Sequence, residues 1–128
     1  MRTFRLNKLV RDKVVPDMRR LDQTVNCREL TDAEYLVALH RKMSEELAEF
    51  DPTGGKALEE LADLKEVIDA LTKCLGSTLE KMHIVQTQKA AEKGAFETKM
   101  YVESVTLSDY DPWVGYYESS PTRFPELI

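Results

Sequence analysis

The chain has 128 residues and a mass of 14.7 kDa, a length that suits one domain, and its 42% apolar side chains are enough for one ordinary core. Eighteen basic residues against 23 acidic ones leave a net charge of -5, which excludes whole-surface attraction to nucleic acid or anionic lipid. The longest apolar run, Tyr35 to Leu39, is five residues, far short of the about 20 that span a bilayer. No nucleic-acid or membrane partner is therefore expected, and a soluble, cytoplasmic protein is. Cys27 and Cys74 lack a CxxC partner or paired histidines, so reduced thiols are expected rather than a zinc site or a disulfide.

In chain order, a first helix is predicted over Leu9 to Leu21, kinked or restarted at Pro16. Thr31 followed by Glu34 is a capping box that opens a second helix, running to about Phe50. Asp51-Pro52-Thr53-Gly54-Gly55 is strong turn chemistry, and Lys56 to about Cys74 has helical periodicity, stopping before Gly76. Ser77 followed by Glu80 repeats the capping device and opens a fourth helix that Gly94 ends. Beyond Met100, the run Tyr101, Val102, Val105 and Leu107 predicts a strand, followed by Tyr110, Trp113, Tyr116, Tyr117 and Phe124. The expected fold is thus all-α, a bundle of about four helices over residues 1–100. Residues 101–128 form a short β or irregular, aromatic-rich extension packed on the bundle or on a second subunit.

Charge is unevenly spread. Residues 1–20 hold seven basic side chains against two acidic ones, whereas residues 45–66 hold eight acidic against two basic. At about 100° per residue, Leu36, Leu39, Met43, Leu47 and Phe50 form one stripe on the second helix, with Glu46 and Glu49 on one edge. On the third helix Leu61, Leu64, Ile68, Leu71 and Leu75 form the stripe, with Glu60 and Asp63 on the edge of the same hand. The five-residue turn makes the two helices antiparallel neighbours, and with their stripes facing, all four carboxylates are expected to converge on one side. Glu45, Glu59 and Glu66 point to water. Four carboxylates at close range beside a core raise one another's pKa, and a hard divalent cation resolves the repulsion. Oxygen-only ligands select Mg²⁺, with Mn²⁺ as a substitute, and such an ion recruits phosphates as further ligands.

The pattern Glu45-Glu46-x-x-Glu49 followed by Glu60-x-x-Asp63 resembles the EExxE and ExxD motifs of the all-α nucleoside triphosphate pyrophosphohydrolases, the MazG-like superfamily. The run Asn7-Lys8-Leu9-Val10-Arg11-Asp12-Lys13 is similar to the NKLVRDK opening of its phosphoribosyl-ATP pyrophosphohydrolase-like subgroup. Lys89, Lys93, Gly94 and Phe96 match the K(x)3RGGF-type ending of that subgroup, with Lys93 in place of Arg and Ala95 in place of the second Gly. The likeness covers about residues 6–97.

What the resemblance implies is a Mg²⁺-dependent helical homo-oligomer, a homodimer or larger, that cleaves a nucleoside triphosphate between the α and β phosphates to a monophosphate and pyrophosphate. Glu46, Glu49, Glu60 and Asp63 would hold the metal, and Glu46 would also orient or deprotonate the attacking water. Asn7, Lys8, Arg11 and Lys13, with Lys89 and Lys93, are the expected substrate-binding residues, the basic ones neutralising phosphate charge. Two alternatives stand beside this reading: hydrolysis of phosphoribosyl-ATP, and a non-catalytic helical binding or assembly module whose acidic hairpin is inert.

Overall fold

The computed structural model describes residues 1–128 as five helices joined by turns and irregular chain, with no strand. The fold is all-α. Its contacts divide it into two units, Met1–Lys93 and Gly94–Ile128, a boundary several residues before the expected one because Gly94 already ends the fourth helix.

In the first unit, helix α1 spans Val14–Arg20 rather than starting at Leu9. Pro16 is then its third residue, in the first turn, where a backbone donor has no helical acceptor and its loss costs nothing. Helix α2 (Asp32–Glu49) opens on the predicted capping box. The Glu34 amide donates to Thr31 Oγ1 at 3.3 Å, and the Thr31 amide donates to Glu34 Oε1 at 3.1 Å. Helix α3 (Ala57–Cys74) runs to Leu75, and Gly76 (φ +76°) then takes the left-handed conformation that L-residues resist. There the Gly76 amide donates to Lys73 O at 3.0 Å and the Ser77 amide to Thr72 O at 3.1 Å.

Ser77 donates its amide to that motif, and its hydroxyl caps no helix. Helix α4 (Leu79–Lys93) starts one residue later than its Ser77–Glu80 signature suggests, with Thr78 Oγ1 accepting the Lys81 amide at 3.1 Å. Helix α2 packs on α3, and α3 alone packs on α4. Leu39, Val67 and Thr72 are the buried residues. No helix is long and apolar enough to cross a membrane.

The second unit corrects the predicted strand. Residues 100–107 form no backbone hydrogen bond, and a strand needs a paired edge that this chain does not supply. The unit instead contains helix α5 (Val114–Glu118). Its aromatics pack on one another: the Trp113–Tyr116 and Tyr117–Phe124 ring pairs are edge-to-face at 5.4 and 5.3 Å.

Candidate functional site

Helices α2 and α3 are antiparallel neighbours, as the five-residue turn requires, but they meet through only part of each apolar stripe, Leu39 and Met43 on α2 and Leu64 and Leu71 on α3. The half-buried or buried side of α2 carries Tyr35, Leu39, Lys42, Met43 and Glu46, and that of α3 carries Glu60, Asp63, Leu64, Val67 and Leu71. Relative to the predicted stripes, each helix is turned by roughly 60–70°, counting about 100° per residue. Leu36 (41% exposed), Leu47 (60%) and Leu61 (44%) are left outside. The charged edge enters the contact because its charges are met locally and the turn pulls one of them inward.

The turn begins with Asp51, whose Oδ1 accepts both the Thr53 amide (3.0 Å) and the Thr53 hydroxyl (2.8 Å). Those bonds, the hydroxyl's first, hold the Asp51 carboxyl below its ordinary pKa and so keep it charged. A Cβ at Gly54 would come within 3.1 Å of that carboxylate, so the turn admits no side chain there without a shift. Across the turn, the Asp51 amide donates to Glu60 Oε1 at 3.3 Å, which ties the first turn of α3 to the end of α2.

Each of the other carboxylates has its own environment. Lys42 Nζ lies 3.4 Å from both Glu45 Oε2 and Glu46 Oε1, one turn along α2. The Lys42 and Glu46 side chains are only 19% and 12% exposed, so this pair is screened less than a surface one. Arg11 Nη2 donates to Asp63 Oδ1 at 2.5 Å, bringing the irregular segment before α1 onto α3. Glu49, on the last turn of α2, is exposed.

Three of the four expected ligands, Glu46, Glu60 and Asp63, therefore lie on the facing sides of α2 and α3, and Glu49 lies beyond them. Their donor chemistry, oxygen alone, suits a hard divalent cation. Their oxygens do not close on one point, however. No three His, Cys, Asp or Glu side chains stand in metal-holding geometry, because Asp63 is turned to Arg11, Glu46 to Lys42 and Glu60 to the turn amide.

Among the expected substrate-binding residues only Arg11 reaches the acidic edge. Asn7, Lys8 and Lys13 are exposed near it in sequence, and Asn7 takes a left-handed φ of +47°. Lys89 and Lys93 are exposed on α4, with no ion pair or hydrogen bond to any of the carboxylates. Lys42 went unnoticed in the sequence. Its signal is the spacing to Glu45 and Glu46, three and four residues on, which places a cation over them on one helix face.

No family model, no curated protein and no solved structure matches the chain.

Proposed function

We propose that this chain is a Mg²⁺-dependent nucleoside triphosphate pyrophosphohydrolase, releasing a nucleoside monophosphate and pyrophosphate. The observation that carries the reading is the placement of Glu46, Glu60 and Asp63 on the facing, half-buried sides of two antiparallel helices, as the resemblance to the EExxE and ExxD motifs implies. The Lys42–Glu46 pair, at 19% and 12% exposed, is costly for a merely structural hairpin, since apolar residues of similar size would pack there without needing counter-charges.

In this reading Glu46, Glu49, Glu60 and Asp63 would hold the ion, which would neutralise phosphate charge when bound. Water adds at one phosphorus of the α–β bridge, the bridging P–O bond breaks, and the water's proton passes to Glu46 Oε1. Arg11 and Lys42 are the cations already at the acidic edge, and Arg11, the more exposed of the two, is the one that reaches a phosphate.

The test is pyrophosphate release from a panel of common, deoxy and modified triphosphates and phosphoribosyl-ATP, with Mg²⁺ or Mn²⁺. Turnover that is lost on chelation supports the reading, and no turnover of any substrate removes it. One observation favours a second reading, the non-catalytic module: the carboxylates are satisfied by Arg11, Lys42 and the Asp51 amide. That reading expects melting to be indifferent to Mg²⁺ with or without nucleotide.

A further inference from the structure

The second unit holds a cleft that the proposed reaction does not use. Its volume is about 210 Å³, and it is lined by Val105, Leu107, Asp111, Trp113 and Tyr117, all within residues 94–128. That is below the about 300–1,000 Å³ of pockets that enclose drug-sized ligands, so the cleft suits one small group. Its walls are two aliphatic side chains, two aromatic rings and a single carboxylate. The Asp111 amide donates to Ser108 O at 2.9 Å and its carbonyl accepts the Val114 amide at 3.1 Å, so the backbone is held on both sides. Asp111 Oδ1 accepts the Trp113 amide at 2.9 Å, which fixes the carboxylate near the start of α5. Trp113 packs edge-to-face on Tyr116, and Tyr117 on Phe124. Neither Tyr116 nor Phe124 lines the cleft, so both rings are braced from outside it.

Charge decides what such a cleft accepts. Asp111 is half-buried yet enters no ion pair. A carboxylate drawn partly out of water without a counter-charge carries a desolvation cost that a bound cation offsets. Residues 94–128 hold six acidic side chains against two basic ones, Lys99 and Arg123, so little more than a quarter of the chain carries -4 of its net -5. An anionic ligand, a nucleotide included, is repelled there. Aromatic faces attract cations through their quadrupole. One ring of this unit already does so, with the Arg123 guanidinium 4.9 Å over Phe124. Val105 and Leu107 add an apolar wall that suits methyl groups rather than a hydrated ammonium.

We infer that this cleft binds a small quaternary ammonium ion of the choline class. The methyl groups lie against Val105, Leu107 and the rings of Trp113 and Tyr117, and the charge faces the Asp111 carboxylate. This inference does not depend on the proposed reaction.

Trp113 is the sole tryptophan of the chain, so its emission reports from the cleft itself. The experiment titrates the full chain with choline at constant ionic strength and, in parallel, with dimethylbutanol, its neutral carbon isostere, and with adenosine monophosphate. A saturable change in Trp113 emission with choline is expected, and calorimetry gives the same Kd. The neutral isostere binds about 10-fold more weakly, because the attraction of the rings and the carboxylate for the charge is lost. Asp111→Asn keeps an oxygen for the Trp113 amide but removes the charge, and it weakens choline binding about 5-fold or more. Tyr117→Leu weakens it as well. Tyr101→Leu, 89% exposed and outside the cleft, leaves Kd unchanged. Where Tyr117→Leu disturbs the aromatic packing, Asp111→Asn and the isostere comparison on the wild type still decide. No saturable response to choline, an equal response to the neutral isostere, or an unchanged Kd in Asp111→Asn overturns the inference. A response to adenosine monophosphate alone overturns it and gives the cleft to a base.

Discussion

Arg11 and Asp63 are 52 residues apart in sequence, yet the Arg11 guanidinium donates to the Asp63 carboxylate at 2.5 Å, joining the opening basic run to the acidic edge of α3. Both side chains are about half exposed, at 58% and 46%, so the pair positions the chain more than it stabilises it. It also puts an internal cation where the proposed function needs a metal.

Arg11→Gln separates these roles. Loss of an exposed ion pair lowers stability by no more than about 1 kcal/mol, read from the urea midpoint. If the proposed reaction holds, KM for the triphosphate rises about 10-fold or more as a charge-assisted phosphate contact is lost. The Mg²⁺ concentration for half-maximal binding falls a few-fold, because Asp63 no longer has a competing cation. Mn²⁺ binding followed by electron paramagnetic resonance reads that last effect without turnover.

Glu46→Gln keeps the shape of the side chain and removes its charge. Pyrophosphate release falls by about 10² to 10⁴, the usual contribution of a positioned general base, while far-ultraviolet circular dichroism stays that of the parent. A variant that retains turnover takes Glu46 out of the chemistry.

Arg28 forks Glu34 through Nη1 to Oε1 at 3.0 Å and Nη2 to Oε2 at 2.6 Å, and with the Thr31 bonds this draws the Glu34 carboxyl down to about 2 from 4.5. A carboxyl whose folded pKa is depressed adds stability above its unfolded pKa and loses it as pH falls through the folded value. The Tm of the wild type therefore declines between about pH 4.5 and pH 2 in part through Glu34. Arg28→Ala reduces that part of the decline, measured by melts across the window.

Thr31→Ala removes the hydroxyl that accepts the Glu34 amide and costs about 1 kcal/mol. Gly76→Ala costs a similar amount for a different reason. Nothing lies within 4 Å of an added Cβ there, so the penalty of about 1–2 kcal/mol is the left-handed φ alone. Gly76→Asn, which tolerates that region better, recovers part of it in the same denaturant titration.

Local signals were legible where the physics is local. The Thr31–Glu34 box, the Asp51–Gly55 turn, and the glycines after α3 and α4 each act within a few residues, and each is found where it was read. The strand over Tyr101–Leu107 was misread because β pairing needs a second edge, which no stretch of alternating side chains can announce for itself.

Unaided, the amino-acid order determined the all-α class, the lengths of the α2–α3 hairpin helices, and the placing of Glu46 and Glu49, and of Glu60 and Asp63, one turn apart on single edges. Periodicity fixes which residues share a face. It does not fix which face a neighbour covers, because rotating a helix about its axis leaves every spacing unchanged. Tertiary packing decided that rotation. The Glu60 bond to the Asp51 amide, the Lys42 pair with Glu46 and the reach of Arg11 to Asp63 turn the carboxylates inward and leave Leu36, Leu47 and Leu61 outside.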